Sequence, residues 1–277
     1  MFAAESWKVE LKRVFDALGA TFNIRITSDC SCHVHVTPGT SIAAPFYTKE
    51  QLAKVACATC YWEAPLEQLL PPDRKQNEWA KRNTDAISEL KRLYDAVPRN
   101  GWALVFRPFL NAPDLGTLAG LMWGDVRRIV RRPGAGPEAT YYQKYLSTNF
   151  CNVLTEVGTV EFRRQGGVAS AALASSQALL ALTLHTSALR TDWSRLGSEK
   201  GYPTATALIT ELVQSMVLLP ATCHSTKFEP WLRHCHSQNA GKRPQKPSPA
   251  DIHRINLLQK KKRFEASQFG VGDDSPA

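Results

Sequence analysis

Apolar side chains recur along this chain with changing period, and the period predicts the elements. Ser6 caps a helix whose apolar positions Val9, Val14, Phe15 and Leu18 keep helical spacing up to Gly19. A short strand is expected over Phe22 to Ile26. Ser31 to Val36 alternates polar and apolar, which predicts a strand stopped by Pro38-Gly39. Thr48 and Gln51 have capping-box spacing ahead of a helix reaching about Leu70, closed by Pro71-Pro72. Asn77 to Val97 reads as helix, with Leu90, Leu93 and Val97 on one side. Trp102 to Phe109 reads as a strand or extended segment. Leu115 to Arg132 reads as a helix ending in four arginines, a favourable end for the helix dipole. Pro133 to Pro137 is a loop and Tyr141 to Thr155 is mixed. Thr159 to Arg164 alternates clearly and predicts a second strand. Two long helices follow, over 169–190 and 204–218.

Residues 240–249 hold three prolines and three basic residues but no large apolar side chain. The pattern therefore places a folded domain over 1–239 and a flexible basic tail over 240–277, with Ile252 to Phe264 as a short basic helix. Helices and strands do not alternate regularly, so the expected class is α+β. At 277 residues and 43% hydrophobic content, the chain can build a real core.

Charge changes the picture less than its total suggests. Of the net +9, residues 240–263 carry +7 and residues 264–277 carry −3, which leaves +5 for the body. Four of the body's positives are Arg127, Arg128, Arg131 and Arg132. Charge held in two places is not the stripe of a folded nucleic-acid surface, so nucleic acid is expected only through the tail. Lys260-Lys261-Lys262-Arg263 resembles a nuclear-localisation patch, and a solvated charge run fits it equally. Met1 to Glu10 has no apolar run of the signal-peptide kind, and Val168 to Leu189 is interrupted by Ser175, Ser176, Gln177 and His185. The expectation is a soluble intracellular protein, cytoplasmic or nuclear through its tail, with no membrane partner. Seven cysteines without a secretory signal argue against a disulfide framework.

Two strands carry candidate chemistry. On Ser31 to Val36 the histidines His33 and His35 share one face, about 7 Å apart, with Val34 and Val36 opposite. Such a pair suits a metal or phosphate, and a half-exposed strand with two ordinary histidines has the same pattern. On Thr159 to Arg164, Glu161 and Arg163 share a face opposite Val160 and Phe162. A carboxylate beside a guanidinium can hold Mg²⁺ and phosphate together, and an ion pair within a sheet is the simpler use. Arg74, Asn77 and Glu78 form a charged segment after Pro71-Pro72, and Asn149 can bond a ligand or close a turn.

Taken in order, Cys32-His33-Val34-His35-Val36, then Leu52, Ala53, Trp62, Glu63 and Leu66, then Pro71-Pro72 with Arg74 and Asn77, then Tyr145, Asn149 and Thr159-Val160-Glu161-Phe162-Arg163 resemble the amidoligase family of glutamine-synthetase-like carboxylate–amine ligases. The resemblance spans residues 22–190 with wide gaps. It implies a curved, mostly antiparallel sheet with helices packed on one side and ligands on the open face. It implies ATP and Mg²⁺ as cofactors, and small-molecule or peptide carboxylates and amines as substrates joined into an amide. Glu161 and Arg163 would be catalytic. His33, His35, Arg74, Asn77 and Asn149 would bind the nucleotide, and His33, His35 and Glu161 the metal. The two motif faces should then lie within about 12 Å of each other, roughly two strand spacings.

The chain departs from that pattern. Only 32 residues precede His33, and they contain no acidic strand. Thr37-Pro38 stands where the family often has Gly, and Arg164-Gln165 where it often has a nearby His. These departures imply missing N-terminal strands, and so a shortened or degenerate member that is inactive or lacks an upstream exon in its gene model. A reading of another class is a zinc-binding or interaction protein without catalysis. Its candidates are Cys30, Cys32, His33 and His35 with Cys57 and Cys60, and more weakly Cys223-His224 with His234-Cys235-His236. No nucleotide P-loop, nucleophile elbow or HExxH motif is present.

Overall fold

The computed structural model describes residues 7–28, 30–39, 46–77, 79–123 and 145–245, with single positions 249, 253 and 257. Its elements in chain order are α1 (Trp7–Thr21), β1 (Ser31–Val36), α2 (Lys49–Glu67), α3 (Asn83–Ala86), α4 (Ser88–Asp95), α5 (Val97–Asn100), α6 (Ala103–Leu110), α7 (Leu115–Trp123), β2 (Thr148–Asn149), β3 (Val160–Gly166), α8 (Ala171–Arg190), α9 (Trp193–Leu196), α10 (Ala205–Met216) and α11 (Phe228–Asn239). The class is α+β. Among the described residues the sheet has three antiparallel strands in the order β1-β3-β2.

The capping box is present. Thr48 Oγ1 accepts from the Gln51 backbone N–H at 3.2 Å, and Gln51 Oε1 accepts from the Thr48 N–H at 3.0 Å. Both orphan donors at the start of α2 are thereby satisfied. Thr48→Ala should lower stability by about 1 kcal/mol, read as a lower urea midpoint at unchanged slope. A loss indistinguishable from zero would mean that packing alone holds the helix start. From that start α2 runs through the core, with Leu52, Ala56, Cys57 and Cys60 fully buried.

The helical layer covers one sheet face. Phe162 of β3 lies with Val55, Ala58 and Trp62 of α2 and Leu184 and Ala188 of α8 around a cavity of about 30 Å³. Tyr47 ties the end of β1 to that layer. Its hydroxyl donates to Val36 O at 2.9 Å and lies 3.0 Å from His185 Nε2 on α8.

Three expected elements differ. Phe22 to Ile26 is not a strand. Trp102 to Phe109 is helical, because its buried residues Trp102, Val105, Phe106 and Phe109 fall at i, i+3, i+4 and i+7. The helix expected over Asn77 to Val97 begins only at Asn83. Before it, the Lys81 N–H donates to Tyr145 O and Lys81 O accepts from the Ser147 N–H, so this backbone bridges to the β2 approach. The Glu63 carboxylate then accepts the N–H groups of Asn83 and Thr84 at 2.6 and 2.9 Å, which fixes where the helix starts.

α1 forms as expected, but Val9, Val14 and Leu18 are 51%, 54% and 40% exposed, and only Trp7 is buried. The reason is placement: α1 packs chiefly on α8, so its apolar side is covered at one end only. α7 covers the start of the helix expected over Leu115 to Arg132. Residues 124–132, with their four arginines, lie outside the described residues, as does most of the expected helix over Ile252 to Phe264.

Past α11 the chain stays against the body. The Lys75 ammonium, itself buried, donates to Asn239 O and Lys242 O at 2.7 and 2.9 Å. The Gly241 N–H donates to Gln68 Oε1, and the Gln245 N–H to Pro72 O. Among the described residues no helix is long and apolar enough to cross a membrane.

Candidate functional site

The register of the sheet builds the site. Glu161 sits opposite His35 on β1 and opposite Asn149 on β2, so these three side chains form one rung across the sheet. Phe162, one residue on, points into the helical layer, so by alternation this rung faces the other way. Between Cys32 and Val34 the pairing shifts. β1 advances from residue 32 to 34 while β3 runs back from 165 to 162, which is a bulge on β3. Arg163 and Arg164 together oppose His33 there. Arg163 joins the Glu161 face, and Arg164 turns to α2, where it donates to Glu63 O at 3.1 Å.

Four side chains converge on one carboxylate. Glu161 Oε1 lies 2.8 Å from His33 Nδ1, 3.5 Å from His35 Nε2 and 2.9 Å from Arg163 Nη1. Oε2 accepts from Asn149 Nδ2 at 2.8 Å. Glu161 and Asn149 are buried at 4% exposure, while the His33 and His35 side chains are 35% and 42% exposed. The two motif faces therefore share one site, well inside the expected 12 Å. Burial alone would raise the Glu161 carboxyl. The hydrogen bonds from His33, His35 and Asn149, with the Arg163 charge beside them, outweigh it and hold the group well below the ordinary carboxylate range.

Arg74 and Asn77 do other work. Arg74, 2% exposed, donates to Arg163 O at 3.0 Å and Arg164 O at 3.3 Å, so it braces the backbone of the bulge. The Asn77 amide donates to Asp73 O and accepts from the Trp79 N–H, closing its own turn. Both bond protein backbone where the resemblance implies nucleotide.

A buried polar network stands behind the site. Ser147 Oγ lies 2.7 Å from both Glu63 Oε1 and Asn83 Oδ1. The Asn83 amide pairs with the backbone of Thr148, donating to its O at 2.9 Å and accepting from its N–H at 3.1 Å. This side chain holds two-residue β2 in place, and with it Asn149. Glu63 and Asn83 are 20 positions apart, and no sequence period announces their meeting. Thr159 was legible in principle, since it shares alternation with Glu161. It meets His35 Nδ1 at 3.1 Å.

The donor set does not fit a resident Mg²⁺. That ion takes oxygen ligands in a near-octahedral shell, with one or two protein carboxylates. Among the described residues the site offers a single carboxylate, whose oxygens already face four donors, one of them a guanidinium. Among the described residues no group of three or more His, Cys, Asp or Glu is arranged around a common metal position. The zinc candidates separate too. Cys57 and Cys60 are fully buried in α2, and burial pushes both thiols up, away from the thiolate a metal needs. No family model, curated protein or solved structure matches the chain.

Proposed function

We propose that this protein is an amidoligase-type carboxylate–amine ligase whose ligands bind the polar face of the β1-β3-β2 sheet. The observation that carries the reading is the convergence of His33, His35, Asn149 and Arg163 on Glu161, on the face turned away from α2 and α8. A ligase of this kind needs fixed donors for an anionic carboxylate or phosphate, next to a site that limits water. Arg163 supplies the fixed cation. The half-exposed imidazoles supply hydrogen-bonding groups that a ligand can reach from solvent by displacing Ser31 or Glu161. Buried Asn149 holds Glu161 in orientation, so the cationic and imidazole groups keep their spacing without a ligand. ATP with Mg²⁺ belongs to this proposal as added co-substrate, and no step is assigned to a metal held by these residues.

The purified chain, given ATP, Mg²⁺ and panels of carboxylates and amines, should release ADP only when an amine is present. Release should fall at least tenfold in His35→Ala, whose half-exposed side chain can be removed with little strain, and vanish in Glu161→Ala. Absence of amine-dependent ADP release from the wild type would sink the reading. The saturated state of Glu161 favours a second one, a binding protein without catalysis. It predicts heat of binding for an anionic ligand with no turnover.

A further inference from the structure

The hydroxyl of Ser31 completes an arrangement that the ligase reading does not use. Ser31 and His33 are two residues apart on β1, so they share the face that carries Glu161. Ser31 Oγ lies 2.9 Å from His33 Nε2, and His33 Nδ1 lies 2.8 Å from Glu161 Oε1. The tautomer follows from the carboxylate. Glu161 is held ionised by its partners and can only accept, so His33 Nδ1 carries the proton toward it. In its neutral form the ring then has its lone pair on Nε2, aimed at the Ser31 hydroxyl. Hydroxyl, imidazole and carboxylate thus stand in the order and with the atoms of a nucleophile, its general base and the group that orients the base.

A parallel chain ends differently. Thr159 Oγ1 meets His35 Nδ1 at 3.1 Å, and His35 Nε2 stands 3.5 Å from the same Glu161 oxygen. Thr159 is buried at 7% exposure, whereas Ser31 is exposed, so only the Ser31 chain opens to a substrate. Asn149 holds the other carboxylate oxygen, Oε2, while Arg163 shares Oε1 with the imidazoles.

We infer that Ser31, His33 and Glu161 form a catalytic relay for hydrolysis of acyl esters, independent of ATP. Ser31 Oγ bonds to the ester carbonyl carbon as its proton passes to His33 Nε2. The carbon–oxygen bond to the alcohol breaks, and the alcohol leaves with that proton. Water then attacks the acyl-serine, His33 takes the water's proton, and the acid departs as Ser31 regains its hydrogen. The balance is ester plus water to acid plus alcohol, with no redox partner. Glu161 stays ionised throughout and stabilises the imidazolium. Oxyanion donors supply a further factor of about 10²–10³ in serine hydrolases, so an activated ester with a good leaving group is the probe suited to this exposed site.

The test uses the full chain without nucleotide or metal. A fluorophosphonate should form a phosphorus–oxygen bond at one residue with loss of fluoride, and peptide mapping should place the adduct on Ser31. p-Nitrophenyl acetate should give an acyl burst of up to one equivalent. Ser31→Ala should abolish both. His33→Ala should slow labelling at least tenfold while the circular dichroism spectrum stays that of the wild type. Labelling at another residue, no labelling of a folded wild type, or a rate unchanged in His33→Ala would overturn the assignment. Ser31→Ala should leave amine-dependent ADP release intact, so the hydrolytic relay and the ligase reading fail separately.

Discussion

Glu161→Ala should destabilise the protein by about 3–5 kcal/mol, the range for removing one partner of a buried ion pair. The side chain is 6% exposed and Arg163 is 12% exposed. Without the carboxylate, the guanidinium keeps its charge in a site that water barely reaches. Asn149 Nδ2, also buried, loses its acceptor, which adds the cost of an unpaired donor. His33 and His35 can turn to solvent and should contribute little. Most of the loss therefore belongs to the Arg163 charge. Adding Arg163→Met should return a large part of it, because an apolar side chain of similar length removes the stranded cation. Urea denaturation of the two single variants and the double variant measures this directly. A loss below about 1 kcal/mol in Glu161→Ala, or no recovery in the double variant, would show that the cluster is a solvated surface group. The pH dependence has a definite sign. The folded state holds Glu161 below its ordinary value of 4.5, so its contribution is complete above that pH and is lost as the solution is acidified through and below it.

The site was more legible than the fold around it. Period-two alternation puts His33 with His35 and Glu161 with Arg163, and it holds whatever the strands pair with. The same alternation puts Ser31 and Thr159 on those faces, although nothing in the sequence singles them out. What sequence lacks is register: that His35 and Asn149 both stand opposite Glu161 depends on a bulge at Arg163 and Arg164 and on a two-residue strand. That strand is held by side chains, Glu63 and Asn83, from two other segments. Arg74 illustrates the opposite error. By itself Arg74 carries no signal in the sequence and only the resemblance implied a ligand contact there, whereas its fork braces the β3 backbone. Helices were legible where caps or long periods marked them, as at Thr48 and over α8. They were misread where a short apolar run is ambiguous between strand and helix, as at Trp102 to Phe109. A fixed apolar period also overstates burial. α1 keeps helical spacing, yet its Val14 and Leu18 stay exposed because the period says nothing about where the neighbouring helix ends.

His185 should give the protein an acid sensitivity of about 3 kcal/mol between pH 6.5 and pH 4, most of it above the ordinary carboxylate values. The ring lies at 6% exposure on α8, against the Tyr47 hydroxyl. Tyr47 has one proton and gives it to Val36 O, so His185 Nε2 is the donor toward the Tyr47 oxygen and Nδ1 is unprotonated. Charging the ring means adding a proton at Nδ1 in a buried site, and burial pushes its pKa down to about 4 from 6.5. The folded state therefore resists a proton that the unfolded chain accepts readily. Stability is complete above pH 6.5 and falls by up to about 1.4 kcal/mol per pH unit as pH drops toward 4. His185→Leu removes the titration and leaves the Tyr47 bond to Val36 O in place, so the urea midpoint of that variant should fall less steeply from pH 7 to 4.5 than that of the wild type. The half-exposed His33 and His35 are present in both proteins and cancel in the comparison. Equal slopes in the two proteins would mean that the ring is hydrated or already charged in the folded state. A difference of the expected size would establish that the joint between β1 and α8 is closed only with a neutral imidazole. The end of the strand that carries His33 and His35 would then loosen in acid before the Glu161 carboxylate itself is titrated.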